Sequence, residues 1–350
     1  MTQPHGLGWH PERTWVFAVG TLEWQRAGEF PAFPETNRRD AALVEFFRAQ
    51  GVPASQIAYL QDGQATTKRI QLRLEALLAQ AGPGDLLVLY YCGHGYKNDD
   101  GATIFASYDA GGRNNPGWAV ASIAATVERC FGGSRALLLA DCCFSGSLAD
   151  AMVQHVRRVA CASLTSSLAS ELSTGNWTFT ETLLAGLRGQ AFVDGDGDSV
   201  ITLRELAAQI EASLAFAEEQ LATFATTGGF DPAMVIAPAR PRPDQRIGER
   251  LEVLSEGEWY PAHVVDARGE RLKVHYYGYE ESDDEWVTRE RTRAAARPAY
   301  PAGTAVEVQW KRAWYPAKVV AMRSGVHQIQ YDGYGPEWNE WVAHQRIRQA

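Results

Sequence analysis

Runs of apolar residues alternate with amphipathic segments along the first two thirds of the chain. The uninterrupted runs Trp15–Gly20, Leu86–Tyr91 and Ala136–Ala140 are typical of buried strands. The segments Glu35–Gln50 and Thr67–Ala79 have apolar positions at helical spacing. This alternation predicts an α/β fold with a mostly parallel sheet and helices on both of its faces.

A segment rich in proline and arginine, residues 237–246, separates this first region, residues 1–236, from a second one. Prolines remove backbone donors, so we expect an exposed linker. Residues 247–296 and 299–350 then contain short alternating segments that repeat at an offset of 55 residues. The repeat predicts two small SH3-like β-barrels. The repeated segments are W-Y-P-A at 259–262 and 314–317, Y-x-G-Y at 276–279 and 331–334, and E-W-V at 285–287 and 340–342.

The composition is that of a soluble globular protein. A chain of 350 residues with 45% hydrophobic content is long enough for one large core and at least one smaller domain. Apolar stretches stay well below the ~20 residues that span a membrane, and the start lacks the apolar core of a secretory signal. We therefore expect a cytoplasmic protein without a membrane partner. The five cysteines lack paired CxxC spacings, so a disulfide framework is not expected.

The net charge of −9 belongs to the first region. Residues 239–350 contain 17 Lys and Arg and 17 Asp and Glu, which leaves 16 basic and 25 acidic residues in positions 1–238. An acidic surface repels phosphate backbones, and a neutral tail offers no basic patch. The charge distribution therefore argues against nucleic acid as a partner.

A histidine and a cysteine follow two of the apolar runs. His94 lies in LLVLYYCGHG at 86–95, and Cys143 lies in ALLLADCCFSG at 136–146. Because the carboxyl ends of parallel strands meet at one edge of a sheet, we expect both residues at that edge. An imidazole beside a thiol can take its proton and generate a nucleophilic thiolate. Glycines in the histidine motif allow backbone amides to approach a substrate, so the N–H groups of Gly95 and Cys143 are the candidate oxyanion hole.

Both motifs resemble those of the caspase-like cysteine peptidases, most closely the metacaspases and bacterial caspase homologues (peptidase C14 type). The family patterns Y-S-G-H-G and D-S-C-x-S-G correspond to 91–95 and 141–146, with cysteines in place of two serines. The resemblance covers residues 13–236 and implies a caspase-haemoglobinase fold. It also implies that Cys143 is the nucleophile and His94 the base. The neighbouring Cys142 is the alternative nucleophile, which the D-x-C-x-S-G register disfavours.

The resemblance also bears on specificity. Members that cleave after Arg or Lys hold the P1 cation with carboxylates, one of them two residues before the nucleophile, which here is Asp141. A second carboxylate lies in an N-D-A segment, to which Arg39-Asp40-Ala41 is a less close match. With Cys92, these acids form the implied S1 pocket, and we expect cleavage after Arg, with Lys second. The alternative for Asp40 is a solvated residue near a helix start.

An acidic segment at residues 194–205 matches the EF-hand calcium loop, except that Ser199 replaces the usual glycine at position 6. The alternative is an Asp-rich turn that caps the following helix. The chemistry itself requires no cofactor, but the resemblance to metacaspases implies Ca²⁺ as an activator at acidic sites. The candidate ligands in this loop are Asp194, Asp196, Asp198, Glu205 and the carbonyl of Val200.

Activation by cleavage is a further implication, because caspase-like enzymes are commonly cut in the loop after the catalytic cysteine. Arg157 and Arg158 are the candidate processing site, for another copy of the enzyme or for an upstream activating protease. Arg240 and Arg242 in the linker are second candidates.

The repeated aromatic motifs of the second region resemble those of Tudor, Tudor-knot and chromo-barrel modules. In that family, aromatic side chains at the mouth of the barrel bind methylated Lys or Arg by cation–π contacts. The alternative is that these rings form barrel core and repeat interfaces. We therefore expect a protein ligand for the repeats. The candidate cage residues are Trp259, Tyr279, Trp286, Trp314, Tyr334 and Trp341.

These features predict a cysteine endopeptidase of the caspase or metacaspase type. It is expected to be a zymogen that acts on protein substrates with exposed Arg or Lys, in a bacterial defence or cell-death cascade. Its C-terminal barrels would dock substrates or partners. The alternative is a catalytically silent caspase-fold scaffold whose barrels bind protein partners.

Overall fold

The computed structural model describes residues 6–34, 38–112, 115–171, 175–295 and 297–350. Contacts between residues divide the chain into two compact units. The first comprises Met1–Ile210 and Ala222–Pro241, and the second comprises Glu211–Leu221 and Arg242–Ala350.

A six-stranded, mostly parallel sheet organises the first unit. Its order is β2-β1-β3-β7-β8-β10, in which β10 alone runs antiparallel. The strands that build it are β1 (Thr14–Gly20), β2 (Ile57–Gln61), β3 (Leu86–Cys92), β7 (Arg135–Asp141), β8 (Ala160–Thr165) and β10 (Thr223–Thr227). Strands β1 and β3 are buried throughout, which is why they read as continuous apolar runs. The predicted α/β class is confirmed.

Helices cover both faces of this sheet. Side chains alternate between the faces of a strand, so Phe17, Leu89 and Leu138 share one core with α2, α3 and α4. On the other face, the hydroxyl of Tyr90 lies 2.7 Å from Thr180 Oγ1 of α5, and α5 contacts α1. The helices are α1 (Arg39–Ala49), α2 (Thr67–Leu78), α3 (Val120–Cys130), α4 (Ser147–His155), α5 (Thr178–Leu187) and α6 (Leu203–Ala217).

The predicted helix at Glu35–Gln50 begins later, at Arg39, and its positions 35–37 lie outside the described residues. Two small sheets complete the first unit. One has the order β4-β5-β6 and directly follows the histidine motif, and the other pairs β9 with β11. Their strands are β4 (Gly95–Lys97), β5 (Thr103–Phe105), β6 (Trp118–Ala119), β9 (Val200–Thr202) and β11 (Val235–Pro238). Strand β11 thus extends into the segment predicted as linker.

The second unit contains two five-stranded antiparallel sheets with the same strand order, β15-β14-β13-β12-β16 and β20-β19-β18-β17-β21. Each encloses its own small apolar core. The register of β13 shifts between Val264 and Asp266, and that of β18 shifts at the equivalent positions, Val319 and Ala321. The strands are β12 (Arg250–Ser255), β13 (Glu258–Arg268), β14 (Arg271–Tyr276), β15 (Glu285–Thr288), β16 (Thr292–Arg293), β17 (Ala305–Trp310), β18 (Ala313–Arg323), β19 (Val326–Tyr331), β20 (Glu340–Val342) and β21 (Ile347–Gln349).

Candidate active site

The histidine and cysteine motifs meet at the carboxyl edge of the main sheet. Strands β3 and β7 are parallel neighbours, and their last residues, Cys92 and Asp141, are paired. His94 and Cys143 each follow two residues later. The topology therefore brings the two residues to one edge of the sheet, which is where reactive groups of open α/β sheets gather.

The backbones of the two motifs are in direct contact. A Cβ atom at Gly95 would lie 2.0 Å from the carbonyl oxygen of Cys143, so only glycine fits at this position. Gly93, on the other side of the histidine, has a φ of 145°, a conformation that other residues rarely adopt. Both glycines of the G-H-G motif are thus required by the close approach and the turn. Gly95 and Cys143, the two residues of the candidate oxyanion hole, therefore lie side by side.

A backbone carbonyl orients the histidine. The Nε2 atom of His94 lies 2.8 Å from the carbonyl oxygen of Pro31. Because a carbonyl oxygen can only accept, the proton of a neutral imidazole resides on Nε2 and leaves Nδ1 as the base. The rings of Trp24 and Phe33 each have their centroids 4.5 Å from that of His94 and restrict its rotation. No sequence pattern points to Pro31, because it contributes a main-chain atom.

Electrostatics keep this imidazole neutral. Burial among the aromatic rings lowers the pKa of His94, and the bond to Pro31 opposes this effect without reversing it. A His pKa below the usual value of about 6.5 leaves the unprotonated form dominant at neutral pH. His94 is therefore in the protonation state that a general base requires.

The two adjacent cysteines have different environments. Cys142 is buried, and its carbonyl accepts a hydrogen bond from Ser167 Oγ at 2.9 Å. Burial, together with the nearby Cys143 and Asp141, raises the pKa of the Cys142 thiol well above its usual range. Cys143 is only half-buried. Exposure therefore favours Cys143 as the nucleophile, in agreement with the motif register.

The residue after Cys143 has a strained backbone. Phe144 has a φ of 56°, and its N–H donates to the carbonyl of Glu171 at 2.8 Å. A positive φ at a bulky residue costs of order 1 kcal/mol or more and is retained where the surrounding structure demands it. Helix α4 begins three residues further on. The turn therefore presents Cys143 between the end of a strand and the start of a helix.

The three residues predicted for an S1 pocket lie in a row along the same edge. Cys92 ends the strand between β1 and β7, and it is paired with Gly20 on one side and Asp141 on the other. Asp40 lies against the end of β1, since a Cβ atom at Gly20 would overlap its Oδ2 at 1.7 Å. The sequence prediction thus grouped residues that the fold brings together.

The two acids of this row have different surroundings. Burial raises the pKa of Asp141 to about 6, although hydrogen bonds from Thr180 and Ser166 oppose the effect. The Thr180 hydroxyl donates to Asp141 Oδ2 at 2.7 Å. Asp40 is fully buried and forms an ion pair with Arg38, with Nη2 and Oδ2 2.8 Å apart. The sequence prediction did not include Arg38 in the pocket.

The acidic loop before α6 brings three of the predicted ligands together. One carboxylate oxygen each of Asp194, Asp196 and Asp198 lies within 4.8 Å of the others. Ser199 adopts a φ of 74°, the conformation that glycine usually supplies at this loop position. Three convergent carboxylates fit a hard cation such as Ca²⁺. The cluster does not include Glu205.

Glu205 instead forms a capping box with Thr202. Its Oε2 accepts from the Thr202 N–H at 2.9 Å, and its own N–H lies 3.2 Å from Thr202 Oγ1. Its Oε1 accepts from the N–H of Gly195 at 2.9 Å. These amides already bind both oxygens of the carboxylate, and they lower its pKa even though partial burial raises it. The loop thus combines features of both alternatives.

Both side chains of the candidate processing site, Arg157 and Arg158, form hydrogen bonds to backbone carbonyls. Arg157 donates to the carbonyls of Val153, Gln154 and Val156, and Arg158 donates to those of Glu128 and Phe131. Both residues lie in the short connection between α4 and β8. A protease that recognises either side chain has to break these bonds first.

Three of the tryptophans predicted for aromatic cages already lie under the protein's own arginines. The guanidinium carbon of Arg293 is 4.1 Å from the ring centroid of Trp259, and that of Arg348 is 4.0 Å from Trp314. Arg268 covers Trp286 at 4.8 Å. These contacts resemble the structural alternative for these rings more than an open cage.

On each repeat, other aromatic residues pack around an exposed tyrosine, Tyr279 in the first and Tyr334 in the second. In the first repeat, Tyr279 packs edge-on against Tyr260 and Tyr276, with centroids 5.9 and 6.0 Å away. In the second, the equivalent cluster consists of Tyr315, Tyr331 and Tyr334, and Trp338 adds a fourth ring 6.0 Å from Tyr334. Tyr334 and Trp338 are more than half exposed. Only Tyr279 and Tyr334 of these clusters were predicted, and Trp341 lies on β20 and is half-buried.

Comparison with known proteins identifies the domain family of the two C-terminal repeats. The Agenet domain family model matches residues 248–301 and 303–350. The C-terminal region therefore carries two Agenet domains, which are Tudor-like β-barrels, and the predicted class of these repeats is confirmed. No curated protein sequence matches the chain.

The chain is also similar to several solved structures, including the following three. Protein GSU0716 from Geobacter sulfurreducens is 17% identical over 65% of this chain and 98% of that chain, with a TM-score of 0.47. The tandem Agenet domains 3–4 of ADCP1 are 21% identical over 30% and 79% of the two chains, with a TM-score of 0.14. The AGD34 part of Arabidopsis thaliana AGDP1 is 20% identical over 30% and 81%, with a TM-score of 0.15. Among the described residues, no helix has the length and apolar character that crossing a bilayer requires.

Proposed function

We propose that the first unit is a cysteine endopeptidase of the caspase or metacaspase type, with Cys143 as nucleophile and His94 as general base. The observation that carries the proposal is the meeting of the two motifs at one sheet edge, with His94 held by the Pro31 carbonyl so that Nδ1 is free to accept a proton. Cys143 is only partly buried whereas Cys142 is buried, and this difference supports the choice of nucleophile.

The proposed reaction follows from these positions. His94 Nδ1 takes the proton of Cys143 Sγ, and the thiolate attacks the scissile carbonyl to form a tetrahedral intermediate. The N–H groups of Gly95 and Cys143 stabilise the negative oxygen. The intermediate collapses to a thioester as His94 donates its proton to the leaving amine. Water, deprotonated by His94, then hydrolyses the thioester and returns the free thiol.

The proposed substrates are proteins with exposed Arg or, second, Lys. The proposed S1 pocket beside the dyad comprises the carboxyl groups of Asp141 and Asp40, which suit a cationic P1 side chain. Since the pKa of Asp141 is about 6, its carboxylate is mostly ionised at neutral pH. Activation by Ca²⁺ at Asp194, Asp196 and Asp198, and cleavage at Arg157 or Arg158, complete the proposed zymogen. In this proposal the enzyme belongs to a bacterial defence or cell-death cascade.

Fluorogenic peptides with P1 Arg, Lys or Asp test the proposal directly. The full chain, its Cys143→Ala variant and a Cys130→Ala control are assayed with Ca²⁺ or with a chelator. A parallel set receives trace trypsin as an activator, with trypsin alone as the blank. Release after Arg that needs Cys143 but not Cys130 supports the peptidase. Absence of Cys143-dependent release under all conditions favours the scaffold alternative.

The Agenet repeats carry a second proposed function, which is the docking of a protein partner. The exposed rings of Tyr279, Tyr334 and Trp338 support this proposal, because exposed apolar surface is typical of recognition sites. Pull-down with the Cys143→Ala chain and with its Tyr279→Ala/Tyr334→Ala derivative tests it. A partner captured by the first and lost by the second supports docking, whereas equal capture by both excludes these clusters.

A further inference from the structure

The guanidinium of Arg38 is buried at the same sheet edge as the candidate dyad. The side chain is only 11% exposed. It binds Asp40 with two parallel contacts, from Nη2 to Oδ2 at 2.8 Å and from Nε to Oδ1 at 3.2 Å. This two-pronged geometry is the strongest way in which a protein holds a guanidinium.

Further acceptors surround the same cation. Nη2 also donates to the carbonyl of Gly20 at 2.9 Å, and Nη1 donates to Asp62 Oδ2. The other Asp62 oxygen accepts from the N–H of Leu22 at 2.8 Å, and Asp40 Oδ2 accepts from the Tyr59 hydroxyl at 2.6 Å. The end of β1 thus forms a complete guanidinium site. It is filled by a residue of the chain itself.

This site adjoins the predicted S1 row. Gly20, whose carbonyl binds Arg38, is paired with Cys92, and Cys92 is paired in turn with Asp141. Burial raises the pKa of the Cys92 thiol well above its usual range, and the charges of Asp40 and Asp141 raise it further. The two carboxyl groups therefore act on one buried thiol, Asp141 from the end of β7 and Asp40 from the first turn of α1.

We propose that Arg38 determines the P1 specificity of the peptidase by occupying with its own guanidinium the subsite of Asp40 that would otherwise receive a P1 arginine. The inference rests on the proposed function and deepens it. A substrate guanidinium can reach Asp40 only if Arg38 leaves. In the native chain the P1 cation therefore interacts with Asp141 alone, and arginine loses the advantage that a second carboxylate would give it.

Steady-state kinetics of the full chain test this proposal. Arg38→Ala and Arg38→Met both vacate the subsite, and methionine retains an apolar stem of similar length. Arg48→Ala is the control, because Arg48 lies on α1, the helix that begins directly after Arg38, and forms an exposed ion pair with Glu45. In both Arg38 variants the KM for a P1-Arg peptide should fall by about tenfold or more, with kcat within about threefold of the native value. The KM for a P1-norleucine peptide and all constants of Arg48→Ala should not change.

A binding measurement separates this inference from the peptidase proposal. Agmatine, an alkylguanidinium, is titrated by calorimetry into Cys143→Ala and into Cys143→Ala/Arg38→Ala. The Arg38 variant should bind agmatine about tenfold more tightly and gain thermal stability from it, whether or not the native chain hydrolyses peptides. If every peptide assay fails but the difference in agmatine affinity is still measured, the peptidase proposal is overturned. The proposal that Arg38 occupies a guanidinium site is then retained.

Three results would overturn the role of Arg38. The first is an unchanged or higher KM for P1 Arg in both Arg38 variants. The second is equal agmatine affinity with and without Arg38. The third is that Arg38→Ala and Arg38→Met both fail to fold even in the presence of agmatine, which would make Arg38 a structural residue only.

Discussion

The imidazole Nε2 of His94 lies 2.8 Å from the carbonyl oxygen of Pro31, a residue 63 positions earlier in the chain. The contact determines which nitrogen of the neutral ring carries the proton, and it points the other nitrogen away from Pro31. In peptidases that use a histidine base, this orienting role often belongs to a side-chain carboxylate. Here a main-chain carbonyl performs it, without adding a negative charge that would raise the pKa of the imidazole.

The aromatic surroundings of His94 predict the pH dependence of activity. Because burial lowers its pKa, the acid limb of kcat/KM should lie below pH 6.5. Phe33→Ala removes a ring 4.5 Å away and should move this limb upward by about 0.5–1 unit. Phe30→Ala, whose ring is 5.9 Å away, should move it less. Equal limbs in all three proteins would contradict this assignment of the base.

The same pKa shift predicts a loss of stability in acid. His94 binds a proton less readily in the folded than in the unfolded chain, so the unfolded state takes up more protons as the pH falls below about 6.5. The contribution of His94 to the free energy of unfolding is therefore complete above that pH and decreases below it. In His94→Gln, this part of the decrease between pH 7 and 5 should be absent in urea titrations.

Asp141 should impose a second ionisation on the cleavage of cationic substrates. Its pKa of about 6 means that P1-Arg hydrolysis should show a second rise with pH around 6, in addition to the His94 limb, whereas a P1-norleucine peptide should show the His94 limb alone. Asp141→Asn should lower kcat/KM for Arg by about 100-fold, because it removes the charge that pairs with the guanidinium. A parallel loss for both substrates would show that Asp141 has only a structural role.

Asp141→Asn also has a predicted effect on stability. A raised carboxyl pKa in the folded state costs stability, and the cost grows as the pH rises from 3.8 to about 6 and is complete above that, at ~3 kcal/mol at most. The asparagine variant avoids this cost. Its free energy of unfolding relative to the native chain should therefore be higher at pH 7.5 than at pH 4.5, and chemical denaturation at the two pH values checks this. A difference that is the same at both pH values would contradict the raised pKa.

Glu205 should be important for stability independently of calcium. Glu205→Ala removes the capping box with Thr202 and should cost about 1 kcal/mol of unfolding free energy, both with Ca²⁺ and with a chelator. Asp196→Asn, in contrast, should remove any stabilisation that Ca²⁺ gives, because Asp196 belongs to the convergent cluster. Thermal melts of both variants distinguish the cap from the cation site. Calcium stabilisation that persists in Asp196→Asn would exclude the cluster.

The tryptophans and the exposed rings of the second repeat should respond differently to substitution. Trp314→Ala removes a ring that packs 4.0 Å from Arg348 and should destabilise the repeat by about 1–3 kcal/mol. Trp338 is 60% exposed, and Trp338→Ala should cost less than about 0.5 kcal/mol. Denaturant titrations of the two variants measure both effects, and equal costs would contradict the structural assignment of Trp314.

Much of the framework could be predicted from sequence. Strands buried on both faces have continuous apolar sequences, so β1, β3 and β7 could be predicted. The parallel pairing of β3 with β7 then places His94 and Cys143 at one edge of the sheet. The 55-residue repeat likewise predicted two similar small sheets. These sequence patterns are local or periodic, so they can be recognised without knowledge of tertiary contacts.

The remaining features depend on contacts between distant residues. Pro31 acts through a main-chain oxygen, which has no residue signature. Arg38 precedes Asp40 by two positions, but nothing in the sequence shows that its side chain folds back onto that carboxylate. The covering of Trp259 by Arg293 depends on strand register between β12 and β16. Sequence patterns therefore indicated which candidate residues share one sheet edge, whereas the surroundings of the acids and aromatic rings required the structure.

Covalent labelling of Cys143 tests the central claim most directly. The full chain and its Cys143→Ala, Cys142→Ala and His94→Ala variants are treated with a P1-Arg peptidyl chloromethyl ketone. The adduct is then detected by intact mass and located by peptide mapping. We predict one adduct, on Cys143, that persists in Cys142→Ala and is lost in Cys143→Ala and in His94→Ala. Labelling of Cys142 in place of Cys143, or labelling at the same rate without His94, would contradict the proposed dyad.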